Sequence, residues 1–368
     1  MKSCFFDILI ALARVAYRLV RCLPVQDKVI FLSRQSDAPL DLRLVQEELA
    51  RRAPHLRQKT HYRRLSGDGT GSLGDFLALI RPTLDLARAR GCFVDGQCIP
   101  LSLFRQRRGF VAVQLWHALG AVKQFGWQAV GKRDGHTRAD ATRWRMHENY
   151  TFIPCASAET QRVYAAAFRA PTEKIPVLGM PRVDEILRLA EDETLREAIY
   201  ADHPTWRGMT TILYLPTFRK GQPLNLQPLL KVLDRTRYKL IVRVHPNDAI
   251  PAAPPDVALT HQATHNLLGL ADIIVTDYSA SAIEASLAGK PLYFYVPDLA
   301  DYRHNQGLNI DIEQEMPGCV FTDFSALLHA AESVPYATTR LTRFREKYVE
   351  KADRENTARI VSHFLSQL

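Results

Sequence analysis

The sequence predicts an α/β protein made of two doubly wound parallel sheets, and three observations carry that prediction. Short apolar runs alternate with amphipathic helical stretches along most of the chain, the pattern that builds parallel sheets covered by helices. The length, 368 residues, is long for one core and favours two domains. Polar residues suited to chemistry, among them His117, Thr217, Arg219, His245 and Ser279, directly follow apolar runs. They therefore fall at strand carboxyl ends, where open α/β sheets bind ligands.

Composition narrows the partners. A hydrophobic content of 46% and a charged content of 24% are ordinary for a soluble globular chain. The net charge of +9 suits a polyanion, an anionic membrane surface or a phosphorylated substrate without choosing among them. No zinc-finger spacing, aromatic–glycine RNA motif or basic heptad run is present, so no nucleic-acid partner is expected. The six cysteines form no Cys-x-x-Cys motif and suit a reduced, cytosolic set. No stretch of about 20 apolar residues marks a membrane span.

Residues 4–23 predict an amphipathic helix with Asp7, Arg14, Arg18 and Arg21 along one narrow face, ended by Pro24. Residues 1–23 are thus set apart from two domains expected at 24–178 and 179–368. A signal peptide fits this helix poorly, because Asp7 interrupts a short apolar region. Two roles stay open: packing on a domain, or lying in a membrane interface with Phe5, Phe6, Ile8, Leu9 and Ile10 in the bilayer.

In the first domain, strands are expected at 28–33, 61–65, 92–95, 110–115 and 150–153, with helices at 41–52, 75–90 and 158–168. The Gly-rich loop 67–74 lacks the ending of a phosphate-binding P-loop and reads as a surface turn. The basic segment 120–147, with Lys123, Lys132, Arg133, Arg138, Arg143 and Arg145, is either a solvated face or a patch for an anionic acceptor. The second domain opens with a helix over 184–201. Strands at 211–215, 239–244 and 257–260 and helices at 226–234 and 264–270 follow.

The stretch 271–291 then reads as a buried strand, a turn rich in Ser and Ala, a short helix and Gly289-Lys290-Pro291 before a strand at 292–296. Unpaired N–H groups and the helix dipole at such a start favour an anion. Ser279 or Ser281 could equally serve only as a cap. With Arg219 and His245 at neighbouring strand ends, a pyrophosphate site is the better account. A second histidine can act as a general base, since its pKa lies near working pH. Glu284, one turn into the helix, is placed for a ribose diol.

Several segments together carry a family resemblance. They are Leu115-Trp116-His117, Gly179-Met180-Pro181-Arg182, Leu215-Pro216-Thr217-Phe218-Arg219, Val244-His245-Pro246, Thr276-Asp277-Tyr278-Ser279, Gly289-Lys290-Pro291 and the run Tyr295 to Arg303, followed by Gly307 and Pro317-Gly318. In this order, over roughly residues 110 to 320, the sequence resembles the CDP-glycerol glycerophosphotransferase family, which makes teichoic acids and related polymers. The resemblance implies a GT-B-like fold, two Rossmann-type domains facing a central cleft. It also implies transfer of glycerol phosphate or ribitol phosphate from a CDP-polyol to a hydroxyl on a lipid-linked, polyprenyl diphosphate saccharide or polyol-phosphate acceptor, releasing CMP.

Carried over by motif, His117 is the general base, and Arg219, His245 and Ser279 hold the donor pyrophosphate with Thr217, Asp277 and Ser281 beside them. Glu284 stands where the family usually has an Asp facing the ribose, and Asp298 and Arg303 border the donor site. Two departures bear on this. The family usually continues Trp-His-Gly-Thr-Pro, whereas Ala118-Leu119-Gly120 follows here in a loop expected on the acceptor side. The usual Asp-Tyr-Ser-Ser is Asp277-Tyr278-Ser279-Ala280, with Ser281 one place later.

The expectation is thus a CDP-polyol phosphotransferase, peripheral at the cytoplasmic face of the membrane. No tightly bound cofactor or metal is expected, and a Mg²⁺ carried in by the substrate stays open. The alternatives are a GT-B glycosyltransferase using a nucleotide sugar and a non-catalytic binding module of the same fold.

Overall fold

The computed structural model describes residues 2–63, 73–132, 135–202, 204–219, 223–245 and 248–368, with the side chains of 2–9, 73–77, 195, 196, 199 and 202 left aside. Most of the Gly-rich loop 67–74, Arg133, Pro246 and the side chains of Phe5, Phe6, Asp7, Ile8 and Leu9 lie outside the described residues.

Two all-parallel sheets form the frame. The first contains β1 (Lys28–Ser33), β2 (Arg57–Tyr62), β3 (Gly91–Val94) and β4 (Val111–Gln114) in the order β2-β1-β3-β4. The second contains β5 (Thr210–Leu215), β6 (Tyr238–Arg243), β7 (Ala258–Thr260), β8 (Ile273–Thr276), β9 (Leu292–Tyr295) and β10 (Val320–Phe321) in the order β10-β9-β8-β5-β6-β7. Near-continuous Val, Ile and Leu runs form the central strands because both faces are buried under helices; β1, β5, β6 and β8 are buried along most or all of their length.

In each sheet the chain lays strands to one side and then reverses. The reversal falls between β1 and β3 in the first sheet and between β5 and β8 in the second. Such switch points open a crevice at the strand carboxyl ends.

Several expected elements differ. The second strand is Arg57–Tyr62 rather than 61–65: it is an edge strand with no fully buried position, so apolar content did not mark it. Residues 150–153 form no strand, and only an isolated bridge joins Phe152 to Val113. The helix expected over 184–201 is two, Pro181–Ala190 and Glu193–Asp202. The final helix, Asn356–Ser366, was expected in the second domain, yet Ile360, Val361 and Phe364 complete the first domain's core with Val29, Phe31 and Phe93. Burying three such side chains contributes about 1.5–3 kcal/mol each, which explains why the chain crosses back.

The N-terminal helix Lys2–Arg21 packs on the first domain. Ile10 and Tyr17 are buried with Ala87, Leu103 and Phe104, and the Tyr17 ring stacks on Phe104 at 4.9 Å. Its other face leaves Leu12, Val15 and Leu19 exposed beside Arg14 and Arg18, and Leu23, just past its end, is exposed too. Among the described residues, no helix is long and apolar enough to cross a membrane.

Candidate active site

The cleft between the sheets is lined from both switch points. On the first domain's side, β4 ends in Gln114, and the chain then turns sharply at Trp116, whose φ of 59° lies in the left-handed region. A bulky residue is held there only when its surroundings compensate for the strain. Buried Gln114 does so by accepting the Trp116 N–H at 2.8 Å, while its amide nitrogen donates to Gly96 O at 2.9 Å and to the Tyr150 hydroxyl at 2.8 Å. The Trp116 ring also packs on Phe125 at 4.7 Å and on His117 at 4.1 Å.

This turn presents His117 to the cleft. Its Nδ1 lies 3.1 Å from the Asp95 carbonyl oxygen. A carbonyl can only accept, so Nδ1 carries the proton and Nε2 keeps its lone pair, the tautomer a general base needs. The residue as a whole is exposed, yet the protein around it partly desolvates its imidazole. That desolvation lowers the imidazole pKa below its usual value, and the nearby Arg182 guanidinium adds to the shift. His117 is therefore neutral at neutral pH.

The loop after His117 does not face an acceptor as expected. Leu119 and Val122 are buried in the second domain's core, and the Tyr164 hydroxyl donates to Ala118 O at 2.9 Å. Gly120 sits so close to the helix Ser281–Ser286 that an added Cβ would lie 2.7 Å from Ile283. The Ala-Leu-Gly sequence therefore serves the domain interface. Much of the basic segment belongs to the interface too: Gln124 N–H donates to Gly307 O at 3.0 Å, and Asn309 N–H donates to Val122 O at 2.8 Å.

On the second domain's side, Thr217 and Arg219 follow β5, His245 follows β6, Asp277, Ser279 and Ser281 follow β8, and Asp298 follows β9. Asp277, almost fully buried, clamps the loop after β5: it accepts the Thr217 N–H at 2.9 Å and the Thr217 hydroxyl at 2.5 Å. Arg219 is fixed by Asp298 on one side, lies 3.7 Å from Asp277 on the other, and sits over the stacked rings of Tyr278 and Tyr302. His245 stacks on Phe218 at 5.0 Å. Thr217, Arg219, Asp277 and Asp298 thus form one cluster across the switch point.

Ser279 accepts the Ser281 N–H at 3.2 Å, and the two hydroxyls lie 3.1 Å apart, so Ser279 supports the start of the helix Ser281–Ser286. Arg303 stands apart on an exposed surface, paired with Glu313 at 3.1 Å and Asp311 at 3.5 Å. Among the described residues, no group of three or more His, Cys, Asp or Glu side chains could hold a metal ion.

Glu284 lies in the cleft floor, and its position involves residues that sequence reasoning missed. Its carboxylate takes Arg182 Nη1 at 2.5 Å, while Asp41 grips the same guanidinium at Nε, 2.9 Å, and also accepts the Arg182 N–H at 2.9 Å. The three side chains are 9%, 14% and 1% exposed for Glu284, Arg182 and Asp41 respectively. Asp41 comes from the helix Leu40–Arg52 of the first domain, Arg182 from the crossing and Glu284 from the second. The one sequence signal was Arg182 itself, read there only as part of the crossing motif.

Two parallel Rossmann-type domains around a cleft, with a histidine on one wall and an arginine–carboxylate cluster on the other, define a GT-B-like transferase. The family model for CDP-glycerol:poly(glycerophosphate) glycerophosphotransferase matches residues 15–366, and the chain belongs to that family. It is 30% identical to a teichoic acid ribitol-phosphate primase of Bacillus spizizenii, over 100% of this chain and 99% of that protein. It is 24% identical to a teichoic acid glycerol-phosphate primase of Bacillus subtilis, over 79% of this chain and 77% of the relative. The wall teichoic acid polymerase TagF shares the fold at a TM-score of 0.74 and 16% identity, covering 98% of this chain and 95% of that one. A UDP-GlcNAc 2-epimerase from Neisseria meningitidis follows at a TM-score of 0.62 and 12% identity, covering 92% and 100%. These comparisons match the phosphotransferase expectation and neither of its alternatives.

Proposed function

We propose that the chain transfers a polyol phosphate, ribitol or glycerol, from a CDP-polyol to a hydroxyl of a lipid-linked acceptor. The observation that carries the proposal is His117: a neutral imidazole at a strand carboxyl end, with Nδ1 committed to a carbonyl and the lone pair left on Nε2. In this reading the acceptor hydroxyl attacks the donor β-phosphate in line, and Nε2 takes its proton. The bond from acceptor oxygen to β-phosphorus forms as the bond to the bridging oxygen breaks, and the electron pair leaves with CMP. Charge on the transferring group is met by Arg219, His245 and the N–H groups beside Ser279, so catalysis rests on position and electrostatics. Asp277, Asp298 and Thr217 orient Arg219, Ser281 is a further donor contact, and Glu284 reaches the ribose from its seat on Arg182. A panel of CDP-polyols and nucleotide sugars, read by CMP or UDP release, tests the assignment.

The acceptor places the enzyme at a membrane surface. Leu12, Val15, Leu19 and Leu23 form an apolar stripe flanked by Arg14 and Arg18, the distribution of an interfacial helix at anionic lipid. Deleting residues 1–23 is expected to reduce cosedimentation with anionic liposomes several-fold; unchanged binding would leave this helix a packing element alone.

A further inference from the structure

The switch point of the first sheet holds a second site. A cavity of about 430 Å³ opens at the carboxyl ends of β1, β2 and β3, within the size range of small-molecule sites. Ser33 at the end of β1 and Asp95 after β3 meet across the switch point, the Ser33 hydroxyl donating to the Asp95 carboxylate at 2.8 Å. Asp95 is buried, and burial pushes its carboxyl up to about 6. The carbonyl of this same residue holds His117 Nδ1, so the cavity floor and the proposed base are mechanically joined.

Two further features define what fits. Arg34, Arg63 and Arg81 line the cavity, each exposed and with no carboxylate partner among the described residues. The contrast is local: Lys28, Lys59 and His61 nearby all converge on the single carboxylate of Asp85. The remaining wall is mixed, with Leu79, Ile99, Trp144 and Met146 beside the polar His136 and Asp140. Trp144 also packs against the cluster of Ile10, Tyr17 and Phe104, under the N-terminal helix. The site thus combines apolar side chains, three arginines and a buried carboxylate whose own backbone carbonyl holds His117.

We propose that this cavity is the acceptor site, binding a phosphate ester of the lipid-linked acceptor through Arg34, Arg63 and Arg81. The saccharide lies on Trp144, the lipid leads out along the N-terminal helix, and the hydroxyl end reaches Asp95 and His117. The identity of the ligand rests on the function proposed above; the existence of the site does not.

The test is direct binding without donor, followed by Trp fluorescence, using a short-chain lipid diphosphate disaccharide, the same disaccharide as a phosphate-free alkyl glycoside, and inorganic pyrophosphate. The triple variant Arg34→Ala/Arg63→Ala/Arg81→Ala is compared with the native chain. These side chains are exposed, so an unchanged thermal midpoint is expected and confirms folding. Each charge-assisted contact to phosphate is worth roughly tenfold to a hundredfold in affinity. The lipid diphosphate should therefore bind the triple variant at least ten times more weakly, while the alkyl glycoside, weaker throughout, is unaffected. Equal binding of the lipid diphosphate to both proteins, or no binding to the native chain, overturns the site; pyrophosphate binding as tightly as the lipid diphosphate reduces it to a free-anion site and overturns the acceptor assignment. If binding behaves as expected but no CDP-polyol releases CMP, the transfer reading fails and the cavity stands.

Discussion

Replacing His117 by Ala is expected to lower kcat by about 10²–10⁴, the usual contribution of a positioned general base, with donor affinity little changed. The size follows from the arrangement: the ring is aimed by the strained turn at Trp116, its tautomer is set by the Asp95 carbonyl, and its charge state is set by partial desolvation with the Arg182 guanidinium nearby. The pH dependence has a definite sign. Because the folded pKa lies below the 6.5 of an ordinary imidazole, the base is fully available at neutral pH. Native kcat/KM should fall only as acidity carries the imidazole through that lowered value. The residual rate of His117→Ala should lack this acid limb. An alanine variant with native turnover and an unchanged acid limb would remove His117 from the chemistry.

The second large effect concerns the cleft floor. Arg182→Met leaves Asp41 and Glu284 buried without their shared cation, and breaking a buried pair in this way costs about 3–5 kcal/mol. In thermal unfolding this corresponds to a midpoint lowered by roughly 10 °C. The loss should be largely recovered when all three charges go together, as Arg182→Met with Asp41→Asn and Glu284→Gln, because no unpaired charge then remains buried. A single Arg182→Met variant as stable as the native chain would mean that the two carboxylates are solvated and the triad does not bind the domains. Since Glu284 is held by Arg182, the single variant should also weaken CDP-polyol binding.

How far the sequence carried depended on whether the deciding interaction was local. The strand Lys28–Ser33 and the stretch around Ile273–Thr276 were legible because uninterrupted apolar runs are strong signals for buried parallel strands. Thr217, Arg219, His245 and Asp277 were legible as a group because each directly follows such a run. The edge strand Arg57–Tyr62 was displaced in the reading because a half-exposed edge has no such run. The destination of the helix Asn356–Ser366 was hidden, since an apolar helix face does not say which sheet it covers. The Asp41–Arg182–Glu284 triad was hidden for a related reason: its members lie 141 and 102 residues apart, and only the closed fold brings them together. Ser33 and Asp95 likewise meet only because β1 and β3 are neighbours.

The most direct measurement of the central claim is nucleotide release with a lipid-linked disaccharide acceptor, comparing CDP-ribitol, CDP-glycerol and UDP-sugars as donors. The account predicts acceptor-dependent CMP release from one or both CDP-polyols, slowed by about 10²–10⁴ in His117→Ala, with no UDP released from any sugar donor. UDP release from a nucleotide sugar, or CMP release that His117→Ala leaves intact, would contradict it.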